Sequence, residues 1–92
     1  MDLKLQDKTA LVTGASVGIG RAIAKALAAE GVRLAVSARR VDKLEELAAE
    51  IVAAGGQAPV LVACDLYEAD TSAKLAAAAV AGLGRVDILV ND

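Results

Sequence analysis

Three glycines fall within seven residues in Gly14-Ala15-Ser16-Val17-Gly18-Ile19-Gly20, directly after the apolar run Thr9-Ala10-Leu11-Val12-Thr13. The chemistry such a loop can do is anion binding. Unpaired N–H groups where a helix begins, together with the positive end of its dipole, hold a phosphate, provided that no Cβ keeps the phosphate off the backbone. Glycines at 14, 18 and 20 suit a tight turn, a close backbone approach and close helix–strand packing, respectively. A merely tight turn between strand and helix has no need of three. Nucleophilic chemistry is poorly provided for. With no histidine there is no Ser–His or Cys–His pair, and a Cys/His zinc site is excluded along with any internal disulfide, because Cys64 is the only cysteine. Cys64 ends an apolar run and reads as a small core residue.

The elements that must position this loop repeat along the chain. Branched apolar runs at 9–13, 33–37, 60–64 and 86–90 recur about every 25 residues and read as buried strands of a parallel sheet covered on both faces. Helical segments lie between them. Leu44, Leu47, Ala48 and Ile51 follow the spacing of one apolar helix face; Asp42 and Glu45 resemble a capping box, and Gly55 suits the position past the last turn. An earlier helix is predicted from near Gly18 to Gly31, with Ile23, Ala26 and Leu27 turned inward. A third is predicted to follow Asp65, with Glu68 completing a second capping pattern, and to run through the alanine-rich stretch 75–81 to Gly82 and Gly84. The order is βαβαβαβ with right-handed crossovers. Either an open doubly wound sheet or part of a (β/α)8 barrel has this order, and the glycine loop favours the first.

Composition narrows the function. The chain has 92 residues, 57% apolar and 24% charged, with a net charge of −2, which excludes a disordered segment and offers no basic field to a nucleic acid. Its longest uncharged run, residues 51–64, is interrupted by Gly55, Gly56 and Pro59 and is too short to span a bilayer. No apolar secretion signal follows Met1, and a reducing cytoplasm is the expected compartment. No nucleic-acid or membrane partner is expected.

The glycine spacing G-x-x-x-G-x-G differs from the commoner G-x-G-x-x-G. Thr13-Gly14-Ala15-Ser16-Val17-Gly18-Ile19-Gly20 resembles the T-G-x-x-x-G-I-G signature of the classical branch of the short-chain dehydrogenase/reductase family. Asp87-Ile88-Leu89-Val90-Asn91 resembles that family's D-I-L-V-N-N-A-G segment, although Asp92 stands where a second asparagine is expected. The resemblance implies a Rossmann-type sheet with strands ordered 3-2-1-4 in a three-layer α/β/α domain, and a nicotinamide dinucleotide bound at its first loop. Such enzymes oxidise alcohols or reduce carbonyls. An acidic residue at the end of the second strand would hold the adenosine ribose 2′-OH; Ala38 fills that place and is followed by Arg39 and Arg40. A guanidinium fork pairs with a phosphate, so NADP is the expected cofactor, with NAD possible and Arg39 the main 2′-phosphate ligand. A solvated arginine pair closing a loop is the plainer reading of the same residues. By the same resemblance, Ser16 would bond the ribose or its phosphate, Asp65 the adenine amino group, Leu66 would flank the ring, and Asn91 would tie the fourth strand to its neighbours. Val17 replaces the basic residue that NADP-preferring members often carry before the middle glycine.

The catalytic part of the resemblance is missing. Family members pass the proton through Y-x-x-x-K, whereas Tyr67 is the only tyrosine here, Thr71 stands four residues later, and the next lysine is Lys74. The 92 residues are therefore expected to be the N-terminal cofactor-binding half of a longer, homo-oligomeric enzyme with a small alcohol or carbonyl substrate, and to be inactive alone. The alternatives are a non-catalytic dinucleotide-binding or regulatory module, or a non-redox enzyme such as a methyltransferase. The latter fits less well, because its cofactor offers Arg39 and Arg40 no phosphate.

Overall fold

Thr9–Thr13 (β1) and Arg33–Ala38 (β2) are buried at nearly every position, and they pair in parallel from Thr9↔Arg33 to Val12↔Val36. Parallel neighbours cannot be joined by a hairpin, so a helix must return the chain between them. In the computed structural model, which describes residues 5–15, 18–63 and 71–91, those helices are Gly18–Ala29 (α1), Val41–Ala53 (α2) and Thr71–Leu83 (α3), and two further strands are Val60–Ala63 (β3) and Ile88–Asn91 (β4). All strand pairs are parallel and the sheet order is β3-β2-β1-β4, the order expected. Helices α1 and α2 bury Ala24, Ala28, Leu44, Leu47 and Ile51 against Ala10, Val12, Leu34 and Val36. Helix α3 buries Leu75, Ala79 and Leu83 against Leu11 and Ala35 on the opposite face. The three layers follow from crossovers of one hand: α1 and α2 lead from β1 outward to β3, and α3 leads back past β1 to β4. The readings on Ser16, Val17, Cys64, Asp65, Leu66, Tyr67 and Glu68 lie outside the described residues.

Several local readings are corrected. Only β1 and β2 are buried along their length; Leu61 and Ala63 of β3 are exposed, and Leu89 of β4 is 65% exposed. These strands form the sheet's edges among the described residues, and α3 packs over β2 and β3. The line of closest approach on α1 runs through Gly20, Ala24 and Ala28, with Ile23 and Leu27 half-buried beside it and Ala26 exposed. Small residues four apart let the helix axis come nearer the sheet than a row of larger side chains would. At α2 the cap is Arg40, which makes no side-chain capping bond, and Asp42 lies inside the first turn, so the capping box with Glu45 does not form. Its far end is as expected: Gly55 has φ 94°, and the N–H groups of Gly55 and Gly56 donate to the carbonyls of Val52 and Ile51. Gly82 lies within α3 rather than ending it. A Cβ there would stand 2.6 Å from Val60 Cγ2, so its missing side chain is what allows α3 to approach β3.

The fourth strand begins at Ile88, two residues later than its apolar run suggested, because Asp87 is engaged across the sheet. Its Oδ2 accepts from the Thr9 N–H at 2.9 Å and from Thr9 Oγ1 at 3.1 Å, and the Asp87 N–H donates to Thr9 Oγ1 at 3.0 Å. Arg85 Nε donates to the same carboxylate, and its Nη2 reaches the Asp7 carbonyl at 3.3 Å. This clamp fixes β4 onto the start of β1. The Thr9 N–H, followed by the Arg85 guanidinium, holds the Asp87 carboxyl below the usual carboxylate range. A carboxyl lowered by folding stabilises the fold above its unfolded pKa, and that contribution is lost as pH falls through the folded value. Thr9 is fully buried, so Thr9→Val should cost about 1–2 kcal/mol in denaturant unfolding at pH 7. The gap from the parent should narrow as pH falls through the lowered folded value of Asp87 and its carboxyl takes up a proton. A gap independent of pH would show that the clamp does not depend on the carboxylate.

Candidate functional site

The carboxyl ends of β1, β2 and β4 come together on one edge of the sheet, where Thr13 lies beside Asn91 in the ladder. Two contacts tie these ends together. Thr13 Oγ1 donates to the Val90 carbonyl at 3.3 Å, and the Ala15 N–H donates to the Ser37 carbonyl at 3.0 Å, binding the glycine loop to β2. Strand β1 has the earlier β2 on one side and the later β4 on the other, which makes this edge the point where strand order reverses. In open α/β sheets that crevice is where ligands bind.

The loop leaves β1 through Gly14 at φ 65° and enters α1 through Gly18 at φ 62°. Both values lie in the left-handed region, which glycine adopts without the clash between Cβ and backbone that other residues incur. At Gly18 conformation alone requires glycine, since a Cβ built there meets no atom within 4 Å. Among the described residues, the space where that Cβ would stand is open. Gly20 is buried in the first turn of α1, while the Ile19 side chain beside it is 69% exposed. That first turn carries no acidic residue, so the positive end of the helix has no carboxylate of its own to neutralise it. Arg21 and Lys25 both reach Glu50, joining α1 to α2.

Strand β2 ends at Ala38, which is buried, and the two following arginines behave differently. Arg39 is exposed and makes no hydrogen bond or ion pair with the described residues. Arg40, also exposed, places its fork on Asp42, with Nε 3.2 Å from Oδ1 and Nη2 2.7 Å from Oδ2. The hydrogen bond to Asp42 raises the Arg40 pKa and, conversely, lowers that of Asp42. Of the expected site residues, Gly14, Gly18, Ile19, Gly20, Arg39, Arg40 and the Asn91 backbone are thus placed along one sheet edge. Ser16, Val17, Asp65 and Leu66 lie outside the described residues. The Arg40–Asp42 pair and the Ala15–Ser37 bond escaped the sequence reading. An aspartate two residues after an arginine at a helix start was the available signal for the pair; nothing marked the backbone bond.

The model of the family described as short chain dehydrogenase matches residues 8–92. The chain belongs to this family. A short chain dehydrogenase of Pseudocercospora fijiensis is 50% identical over 88 residues, which are 96% of this chain and 28% of that protein. Among solved structures, hydroxysteroid dehydrogenase from Escherichia coli superposes with a TM-score of 0.91 at 39% identity, covering 98% of this chain and 37% of that one. A metagenomic short-chain oxidoreductase in complex with NADP superposes at 0.84 with 46% identity, covering 91% and 38%. The chain therefore spans between about a quarter and two fifths of the length of these relatives. Among the described residues, no helix is long and apolar enough to cross a membrane, and no cluster of three or more His, Cys, Asp or Glu could hold a metal ion.

Because Gly18 is held by conformation and not by packing, Gly18→Ala should lower stability by about 1–2 kcal/mol. D-Alanine, introduced at 18 by semisynthesis, should be tolerated, since it favours positive φ. Equal losses for the two enantiomers in thermal unfolding would show that space, not φ, excludes a side chain there.

Proposed function

We propose that the chain is the dinucleotide-binding portion of a longer NAD(P)-dependent oxidoreductase that interconverts alcohols and carbonyls, with NADP preferred. One observation carries this reading: a loop held at positive φ by Gly14 and Gly18 opens the N-terminus of α1 at the switch point of the sheet, with no acidic side chain in the helix's first turn. A diphosphate bridging the two nucleotides suits that position, because backbone N–H groups and the helix dipole both favour its charge. Bound there, the dinucleotide supplies or accepts hydride at its nicotinamide.

The remaining roles belong to this chain's own side chains. Gly14, Ser16, Val17, Gly18, Ile19 and Gly20 form the diphosphate loop, with the exposed Ile19 offering apolar surface at its mouth. Ala38 places no carboxylate against a 2′-phosphate, and the Arg39 guanidinium, without a partner among the described residues, offers it a fork. The adenine falls to Asp65 and Leu66, and Asn91 holds the end of β4 beside the cofactor. The NADP complex of the metagenomic relative supports the choice of cofactor. The proton-transferring Y-x-x-x-K, the substrate pocket for a small alcohol or carbonyl, and the contacts of a homo-oligomer are assigned to the parts of the protein beyond these residues. The reducing cytoplasm is its proposed compartment.

Calorimetric titration with both dinucleotides tests the reading. The protein should bind NADP more tightly than NAD. Arg39→Ala should weaken NADP by about 1.5–3 kcal/mol, the scale of a charge-assisted hydrogen bond, while leaving NAD nearly unchanged. Equal losses for both cofactors would remove Arg39 from 2′-phosphate recognition.

A further inference from the structure

The two arginines after β2 are adjacent in sequence, but among the described residues only one of them is engaged. Arg39 has no partner among the described residues, whereas Arg40 lays two donors on the Asp42 carboxylate, the arrangement a guanidinium also makes with a phosphate. Asp42 lies in the first turn of α2, next to the positive end of that helix, so its carboxylate is stabilised where it stands. Arg40 is the residue that caps this helix, in an extended conformation with φ −104° and ψ 112°, two positions before its partner. The downward shift of Asp42 and upward shift of Arg40 agree with a formed pair. The pair carries no net charge, so the arginines present one unbalanced positive charge to a nearby dianion instead of two.

We propose that Asp42 is a specificity-determining residue that acts by competition: it occupies the Arg40 fork that a 2′-phosphate would otherwise take, and so sets the NADP-over-NAD preference at the level of Arg39 alone. The inference rests on the cofactor reading above and concerns the degree of discrimination, not the existence of binding. Both partners are exposed, with side-chain exposures of 67% and 60%, so the pair is weak and the competition is modest in size. A second guanidinium released beside a phosphate should therefore strengthen NADP binding by a single-digit factor.

The test is a double-mutant cycle read as the ratio of NADP to NAD affinity, with the protein, Asp42→Asn, Arg40→Ala and the double variant titrated with both dinucleotides. Asp42→Asn should raise the ratio about three- to tenfold, Arg40→Ala should change it by less than about twofold, and the double variant should match Arg40→Ala. The cycle separates release of Arg40 from the simple loss of a negative charge near the phosphate. A rise of equal size in the Arg40→Ala background would assign the effect to bare charge and overturn the proposal. An unchanged ratio in Asp42→Asn would overturn it as well, as would an Arg40→Ala loss as large as that of Arg39→Ala, since Arg40 would then already be on the phosphate. In each of these cases the cofactor reading stands so long as the parent binds NADP and depends on Arg39. Failure of the parent to bind either dinucleotide would overturn that reading and this inference with it.

Discussion

A parallel ladder cannot close on itself through a tight turn, and that constraint organises the whole chain. Each strand must be returned by a helix, so all four strands point the same way and deliver their carboxyl ends to one edge. The hand of the crossovers then puts α1 and α2 on one face and α3 on the other, so the sheet's strand order reverses beside β1. The glycine loop therefore opens where three strand ends converge, and the Ala15–Ser37 and Thr13–Val90 bonds fix it to both neighbours. At the opposite end of the sheet, the Asp87–Thr9 clamp fastens β4 to β1. The site and its support are thus consequences of one ladder, secured at both ends by polar contacts.

Electrostatics at the site edge comes as much from what the sequence omits as from what it supplies. No carboxylate sits in the first turn of α1, and Ala38 puts none at the end of β2. Asp42, in the first turn of α2, is already engaged by Arg40. Arg39 is left as the exposed cation on that edge whose guanidinium has no partner among the described residues. Among the described residues, a dianionic ligand at this edge would meet a helix dipole and one unpaired guanidinium.

The sequence made the architecture readable because strand and helix periods are strong where burial is complete. Strands β1 and β2, buried at nearly every position, and α2, with Leu44, Leu47 and Ile51, stand where the pattern put them. Patterns said less at edges. The branched residues of β3 and β4 resemble those of β1, but exposure is decided by which helix lies above a strand, and composition does not show that Leu89 is left exposed. Alanine confused the face of α1 for a related reason: a small residue gives a weak hydrophobic signal and yet marks the line of closest packing. Of the site, the glycines were legible because positive φ restricts residue type so sharply. The Arg40–Asp42 pair was not, because a side chain chooses among nearby partners by geometry that spacing does not encode, and the same aspartate also fitted a capping box.

The proposed diphosphate site is the run of backbone amides between Gly14 and Gly20. Amide resonances followed by NMR as NADP is added test it most directly. The largest shifts are expected at Gly14, Ile19 and Gly20, with small ones at Gly55 and Gly56 past the end of α2. Saturable binding that leaves the amides of that loop unmoved would contradict it.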